Sequence, residues 1–263
     1  MTKKLNVADF SDWDEYYWTY QYHLARDYYI PMFESWGLKP KGLKIVDVGC
    51  GSGGFTAALA DWGATCLGVE IRPFKRKAPE GSRLRYIVQD ITAPNAPRLM
   101  GDDHDLLILR DVIEHIPGPD KAAFISSAKR LIKPDGKMLI TFPPFYSPFG
   151  LHQQVILKSR LRKLPFLSLI PKPALDLMMA AVNEPASCRR DIGSIHKSRM
   201  TIGGFRRLVK GQGLKVLKEQ HYFIRPSHEI RYGWPTTRAR WGRVSLFREL
   251  FVLGTAYLLG KES

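Results

Sequence analysis

Short apolar runs recur along the first half of the chain, and each run stops at a polar or glycine residue. Stretches in which apolar residues recur at helical spacing separate them. The runs are Leu43 to Val48, Thr65 to Glu70, Leu84 to Gln89, Asp105 to Arg110 and Gly136 to Phe142. Continuous apolar runs of this length are typical of strands buried on both faces. Their alternation with helices predicts an α/β protein with a doubly wound, mostly parallel sheet.

The first run leads directly into a cluster of glycines, in the sequence LKIVDVGCGSGG at 43–54. Gly49, Gly51 and Gly54 keep the G-x-G-x-x-G spacing. Glycines at these positions permit a tight turn and let a ligand approach backbone N–H groups closely. This motif predicts a nucleotide-like ligand without identifying it.

Acidic residues follow the same pattern as the strands. Asp47 lies inside the first apolar run, where a carboxylate is costly unless it is hydrogen-bonded. Glu70 ends the second run, where an acid can accept hydrogen bonds from both hydroxyls of a ribose. Asp90 follows the third run and is expected near an exocyclic amine of adenine. Together the acids predict a nucleoside site at the carboxyl edge of the sheet.

These residues resemble the motifs of the class I S-adenosylmethionine-dependent methyltransferases. The matching segments are VDVGCGSGG at 46–54, Glu70, QDI at 89–91, DLLILRDVIEHI at 105–116 and LIKPDGKMLITF at 131–142. The resemblance implies a seven-stranded Rossmann-like sheet and S-adenosylmethionine as the cofactor. We assign no residue as a metal ligand and leave the use of a divalent metal open. The cofactor-binding residues that the resemblance implies are Asp47, Gly49, Cys50, Gly51, Glu70, Ile71, Asp90, Ile91 and Arg110.

The same resemblance divides the chain into parts. Residues 1–40 are rich in aromatic side chains and are expected to form a helical cap, followed by the cofactor-binding core at 41–142. Residues 143–200 match nothing in the family and are broken by prolines, so we expect an inserted, mostly helical substrate lid. Residues 201–263 should complete the sheet with an antiparallel closing strand.

The segment after the fourth strand is expected to face the substrate, and three interpretations of it compete. In the first, His115 is a general base, because the reference pKa of histidine, about 6.5, suits proton transfer near neutral pH. Alternatively Asp111, Glu114 and His115, joined by His152 from beyond the fifth strand, resemble a D/E-x-x-E-H metal site, although Asp111 stands where a glutamate is usual. Thirdly, the group is purely structural. We take His115, Asp111 and His152 as the candidate catalytic residues.

Charge is distributed unevenly along the chain. The net formal charge is +15, with −3 in residues 1–120 and +18 in residues 121–263. A basic half favours an anionic small molecule, an acidic membrane surface or, less strongly, nucleic acid. Aromatic residues Tyr232, Trp234 and Trp241 accompany the basic residues near the end, as a second possible substrate wall.

Composition indicates the compartment. The three cysteines have no paired spacing, and the first residues lack the apolar core of a signal peptide. No run approaches the ~20 apolar residues of a transmembrane helix. We expect a cytoplasmic protein without a transmembrane segment, with peripheral membrane contact left open by the basic, leucine-rich stretch at 156–170.

The sequence thus predicts an S-adenosylmethionine-dependent methyltransferase acting on a hydroxyl of an anionic, aromatic or lipid-like small molecule. One alternative is an RNA-directed methyltransferase with metal assistance. An NAD-dependent oxidoreductase would share the glycines and Glu70, but it does not explain Asp47 or Asp90. A non-catalytic binding protein on the same fold also remains open.

Overall fold

A single sheet organises the chain in the computed structural model, which describes residues 4–73, 76–239 and 245–262. Trp241, one of the predicted wall residues, lies outside this described part. The strands are β1 Lys44–Val48, β2 Thr65–Glu70, β3 Leu84–Val88, β4 His104–Arg110, β5 Ile132–Phe142, β6 Leu214–Ile224, β7 Thr237–Arg238 and β8 Gly254–Lys261. Each of the five predicted apolar runs therefore forms a strand.

The strand order across the sheet is β3-β2-β1-β4-β5-β8-β6-β7. Strands β1 to β5 pair in parallel, and β8 runs antiparallel between β5 and β6. The doubly wound, mostly parallel fold is confirmed, but the prediction of seven strands is wrong because the described residues form eight. The additional strand, β7, contains only two residues and pairs at the edge with Tyr222 and Ile224 of β6. A run this short has no recognisable hydrophobic period.

Helices cover both faces of the sheet. They are α1 Trp13–Leu24, α2 Ile30–Ser35, α3 Gly54–Asp61, α4 Ala96–Met100, α5 Lys121–Lys129, α6 Gln153–Ile156, α7 Lys172–Ala181, α8 Ala186–Ser198, α9 Ile202–Gly211, α10 Pro226–Tyr232 and α11 Ser245–Phe251. Helices α1 to α3 contribute to the buried cluster on one face, and α5 and α9 contribute to the cluster on the other. None of the described helices is long and apolar enough to cross a membrane.

Helix α1 packs directly on the glycine loop. Gln21 of α1 donates a hydrogen bond to the carbonyl of Cys50 at 3.2 Å, and Ser52 donates to the carboxylate of Asp14 at 2.8 Å. A five-residue π-helical turn, Ala25–Tyr29, joins α1 to α2. The helical segment at the start of the chain is therefore fixed to the loop that the motif predicted.

The segment at 143–200 contains three helices, α6 to α8, and a hydrophobic core of its own. This core includes Leu161, Leu175, Met179 and Ile192, all buried. Glu184 ties the segment together, since its carboxylate accepts hydrogen bonds from the backbone N–H groups of Lys158 and Ser159. The stretch at 156–170 forms short 3-10 turns instead of one amphipathic helix.

Candidate active site

The glycine loop curls over the carboxyl end of β1 in a conformation that only glycine fits well. Gly49 has a φ of +76°, and a Cβ added there would lie 2.5 Å from a methyl group of Val112. Its N–H donates to the carbonyl of Val69 at the end of β2. The loop is thus fixed against the neighbouring strands, with Gly49 and Gly51 on the wall of an open groove.

This strand-end groove, of about 720 Å³, runs along the carboxyl ends of β1, β2 and β3. Glu70 lines it, and its carboxylate accepts hydrogen bonds from the backbone N–H groups of Gly51 at 3.1 Å and Ile71 at 2.9 Å. The backbone N–H of Arg72 donates to the same oxygen as that of Ile71, at 3.4 Å, so three backbone donors hold the Glu70 side chain at the groove. The oxygen that accepts from Gly51 has a second lone pair. The carboxylate therefore retains acceptor capacity for ligand hydroxyls.

The end of β3 supplies the rest of the groove. Asp90 lines it, and one of its carboxylate oxygens accepts from both the N–H and the hydroxyl of Thr92 at 2.8 Å. Ile91 is buried beside Asp90, whereas Ile71 is 62% exposed on the opposite rim. The structure thus brings the acids of β2 and β3 and their isoleucine neighbours to one groove.

Two of the predicted cofactor residues lie beneath the loop instead. Asp47 is 1% exposed and accepts a hydrogen bond from Thr56 at 2.6 Å, and burial raises the pKa of its carboxyl. Cys50 is fully buried, and burial also raises the pKa of its thiol. Neither side chain lines the groove. The hydrogen bond expected for the buried carboxylate of Asp47 is donated by Thr56 at the base of the loop. Direct contacts of Asp47 and Cys50 with the cofactor stay predictions.

A second cavity, of about 400 Å³, lies between the sheet, α1, α10 and the start of the 143–200 segment. We call it the lid-side cavity. It shares Tyr17, Gly49, Asp111 and His115 with the strand-end groove. The two spaces therefore meet at the carboxyl ends of β1 and β4.

Asp111 lies at this junction with a φ of +56°, just after β4. Its carboxylate forms an ion pair with Arg225, at the start of α10, and accepts a hydrogen bond from Thr141 at 3.1 Å. Although burial by itself would raise the pKa of Asp111, Arg225 and Arg110 hold it well below its usual range. Asp111 is therefore an ionised anchor for the C-terminal part of the chain, 114 residues away in sequence.

Glu114, His115 and His152 come together beside Asp111. Their ligand atoms lie within 4.8 Å of one another, and the rings of the two histidines are 5.4 Å apart between centroids. Nε2 of His152 lies 3.5 Å from a carboxylate oxygen of Glu114. Among the described residues, neither oxygen of Glu114 nor this nitrogen has a hydrogen-bond partner. The predicted meeting of residues from both sides of β5 is thus present in the structure.

Burial controls the charge of these side chains. It raises the pKa of Glu114 to about 8, with a further contribution from the nearby Asp111. It lowers the pKa of His152 to about 4, against the opposing effect of Asp111. Desolvation on its inner side also lowers the pKa of His115, which keeps an exposed edge. Both histidines are neutral at pH 7 and able to accept a proton.

Arginines line the lid-side cavity. Arg110, at the end of β4, is 6% exposed, with its guanidinium 4.9 Å from the ring centroid of Phe55. Arg225 and Arg231 reach the cavity from α10, together with His228. Arg110 was a predicted cofactor residue, whereas Arg225, His228 and Arg231 were not predicted individually and belong to a basic, aromatic stretch near the end of the chain. The basic and aromatic composition of this stretch was the sequence feature that pointed to a binding surface there.

The lid contributes fewer aromatic side chains to the cavity than its sequence suggests. Phe149 and His152 line the cavity. Phe142 packs instead against Phe205 and Tyr257 in the sheet core, and Phe145 belongs to the core of the 143–200 segment. The aromatic sequence around the start of the lid predicts a pocket lined by Phe142, Phe145, Tyr146 and Phe149, with His152 and Gln153 behind them. For Phe142 and Phe145 this prediction is wrong. Adjacent aromatic residues point in different directions, and sequence spacing alone does not assign them.

The sheet order, the glycine loop and the acid-lined groove define the chain as a Rossmann-like methyltransferase of class I. The family described as "Methyltransferase domain" matches residues 17–219. The chain belongs to this family, and the resemblance to S-adenosylmethionine-dependent methyltransferases inferred from its motifs is confirmed. Membership also argues against the NAD-dependent oxidoreductase alternative.

Curated relatives match only part of this chain. The ubiquinone biosynthesis O-methyltransferase of Leptothrix cholodnii is 30% identical over 108 residues, which are 39% of this chain and 45% of the relative. The protein of the same name from Photobacterium profundum is 25% identical over 174 residues, covering 61% of this chain and 70% of the relative. The chain thus spans less than half of the length of the Leptothrix protein.

Solved structures share the fold over nearly the whole chain. Magnesium protoporphyrin IX methyltransferase from Synechocystis PCC 6803, with bound S-adenosylhomocysteine, superposes with a TM-score of 0.54 at 16% identity, covering 100% of this chain and 90% of that one. A methyltransferase dependent on S-adenosylmethionine from Archaeoglobus fulgidus gives a TM-score of 0.52 at 15% identity, with 94% and 100% coverage. These likenesses show that the fold is common to the three proteins.

Proposed function

We propose that the chain transfers a methyl group from S-adenosylmethionine to a hydroxyl of a small molecule bound in the lid-side cavity. The observation that carries this proposal is the shared wall of the two spaces, formed by Tyr17, Gly49, Asp111 and His115. A donor in the groove and an acceptor in the cavity would meet there. The O-methyltransferase relatives support a hydroxyl over nitrogen or carbon as the acceptor atom.

The groove and the adjoining end of the lid-side cavity offer groups suited to each part of the cofactor. Glu70 would accept hydrogen bonds from the ribose hydroxyls, and Asp90 with Ile91 would flank the adenine. Arg110 is a cation close to the end of the glycine loop, and it suits the carboxylate of the methionine part. Asp47 would act indirectly, through Thr56 below the loop.

Bound S-adenosylmethionine supplies a methyl group on a positively charged sulfur, which passes to a nucleophile by in-line displacement. The residues of the chain have to align the acceptor and keep water out. Helix α1 covers the groove through Asp14 and Tyr17, and Phe149 and His152 close the cavity from the lid side. Two separate parts of the chain, α1 and the 143–200 segment, thus contribute to positioning.

His115 is the group best placed to act as the base. It lines both spaces, and its lowered pKa leaves it neutral at pH 7, ready to accept the proton of a hydroxyl. Asp111 is less suited to this step, because it is held in an ion pair with Arg225. We assign Asp111 a positioning role, and we assign His152 a role in orienting the acceptor.

The first experiment is calorimetric titration of the protein with S-adenosylhomocysteine and, separately, NADH. Micromolar binding of S-adenosylhomocysteine alone is expected. Methyl transfer to a panel of phenols and catechols then compares the wild type with His115→Gln. We expect kcat to fall about 100-fold, as for loss of a general base, with affinity for S-adenosylhomocysteine unchanged. An unaltered kcat would remove His115 from the mechanism, and binding of neither ligand would favour a non-catalytic scaffold.

A metal-assisted reaction is the second candidate, and the unpartnered atoms of Glu114 and His152 favour it. With His115 they would offer one carboxylate and two imidazoles, a donor set suited to a divalent transition metal. Such an ion would lower the pKa of a hydroxyl bound to it. Activity that survives a chelator would exclude this candidate. An RNA acceptor would in addition require affinity that falls steeply with added salt.

A further inference from the structure

Arg231 carries a positive charge that nothing in the lid-side cavity offsets. Its position is on α10, and it lines the cavity but not the strand-end groove. Among the described residues, no carboxylate forms an ion pair with Arg231, and its Nε has no hydrogen-bond partner. Its guanidinium lies 4.2 Å from the ring centroid of Tyr20, a contact that supplies no hydrogen-bond acceptor.

The other two arginines of the cavity, Arg225 and Arg110, each have a partner or an assigned role. Arg225, also from α10, is compensated by Asp111. Arg110 lines the same cavity, but its guanidinium lies against the ring of Phe55, directly after the glycine loop, where the proposed function gives it the methionine carboxylate. That leaves Arg231 as the guanidinium facing the remaining space. A desolvated cation without a counterion is unfavourable, and an anionic ligand bound in the cavity would supply that counterion.

His228 completes the environment. It is 8% exposed and lines the same cavity, and its Nδ1 lacks a hydrogen-bond partner among the described residues. Burial lowers the pKa of His228 to about 3, with Arg225 and Arg231 lowering it further. His228 is therefore neutral and adds a polar atom without adding charge. Aromatic side chains, including Tyr17, Tyr20 and Tyr232, supply the apolar part of the wall.

We propose that the acceptor is an aromatic compound bearing an anionic group, a carboxylate or a phosphate, which Arg231 binds while the hydroxyl to be methylated faces His115. This inference rests on the proposed function. It separates two anion sites in one active site. Arg110 serves the cofactor, and Arg231 serves the acceptor. Guanidinium groups bind carboxylates and phosphates through paired hydrogen bonds, so either anion satisfies the site.

The test uses the full chain saturated with S-adenosylhomocysteine and titrated calorimetrically with matched probes. The probes are 3,4-dihydroxybenzoate and its neutral amide, 3,4-dihydroxybenzamide, which have nearly the same shape. Phenyl phosphate and benzoate form a second pair, which distinguishes a phosphate from a carboxylate. We expect at least 10-fold tighter binding of 3,4-dihydroxybenzoate than of the amide. Whichever of phenyl phosphate and benzoate binds more tightly identifies the anion that the site prefers.

Variants assign the effect to one side chain. Arg231→Gln should abolish the advantage of the anionic probe, and Arg231→Lys should restore part of it. Affinity for S-adenosylhomocysteine should stay unchanged in both. Arg199→Gln is the matched control, because Arg199 also lies against an aromatic ring, that of Phe145 at 5.6 Å, but lines neither space. It should leave binding of every probe unchanged.

Three results would overturn the proposal. The first is wild-type protein that binds the amide as tightly as the carboxylate and gains nothing from phosphate, a comparison that needs no variant. The second is retention of the anion advantage in Arg231→Gln. The third is loss of S-adenosylhomocysteine affinity in Arg231→Gln with unchanged probe binding, which would assign Arg231 to the cofactor. Failure of the wild type to bind S-adenosylhomocysteine would instead count against the proposed function itself.

Discussion

Gly54, the first residue of α3, is the point where helix α1 approaches the glycine loop most closely. A Cβ added to Gly54 would lie 2.0 Å from the carbonyl oxygen of Trp18 and 2.8 Å from its carbonyl carbon. Both are backbone atoms in the middle of α1, so no side-chain rotation can relieve the contact. Gly54→Ala therefore requires α1 to move away from α3.

The loss of stability in Gly54→Ala can be compared with that caused by overpacking a protein core. Extra methyl groups in a packed core destabilise by about 1–3 kcal/mol when neighbouring side chains can adjust. Because a helix backbone has to move here, we predict a loss of about 3 kcal/mol in the free energy of unfolding. Displacement of α1 also moves Asp14 and Tyr17, which line the strand-end groove, so affinity for S-adenosylhomocysteine should fall about 10-fold or more.

Urea unfolding and calorimetric titration measure the two effects. Gly211→Ala is a matched control, because Gly211 ends α9 and an added Cβ would meet nothing within 4 Å. Alanine favours a helix over glycine, so this control should be neutral or stabilising by up to about 1 kcal/mol. The tight packing of α1 on the loop is refuted if the free energy of unfolding of Gly54→Ala lies within about 1 kcal/mol of the wild-type value and its affinity for S-adenosylhomocysteine is unchanged.

Three other predictions concern charged groups of the site. Glu70→Ala should weaken binding of S-adenosylhomocysteine by about 1–3 kcal/mol by calorimetry, since a charge-assisted hydrogen bond is lost, and unchanged affinity would reject the ribose assignment. Arg225→Met should lower the free energy of unfolding in urea by about 3 kcal/mol, because Asp111 is left partly buried without its counterion, and a smaller loss in the Asp111→Asn background would confirm the coupling. The pKa of Asp111 is lower in the folded chain than its unfolded value of about 3.9, so its stabilising contribution is complete above that pH and is lost as the pH falls towards the folded pKa. Wild type should accordingly lose more stability than Asp111→Asn between pH 5 and pH 3, and parallel curves would contradict this.

Most features of the cofactor-binding half could be predicted from the sequence alone. The five apolar runs all became strands, because parallel strands buried on both faces need continuous apolar residues whatever surrounds them. The glycine spacing was equally informative, since the φ of +76° at Gly49 is a local backbone demand. Glu70 and Asp90 meet in one groove because the carboxyl ends of parallel strands lie at the same edge.

Tertiary packing decided what the sequence left open. Asp47 and Cys50 sit in the same motif as Gly49, yet both side chains point beneath the loop, towards α3 and the sheet. Their direction depends on which face of the strand the loop covers. Phe142 and Phe149 are close in sequence, but only Phe149 reaches the lid-side cavity.

The acceptor side of the site was the part that local patterns could least predict. Asp111 directly follows β4 and Arg225 directly follows β6, and the two side chains meet although β5 and β8 separate these strands in the sheet. Arg231 then faces the cavity because α10 continues from that anchor. Strand type and loop shape follow from neighbouring residues along the chain, so the fold class and the cofactor edge could be predicted from local patterns. Which charges face a cavity follows from the packing of distant segments, and the tertiary structure was needed to place Arg225 and Arg231 in one cavity with His115 and His152.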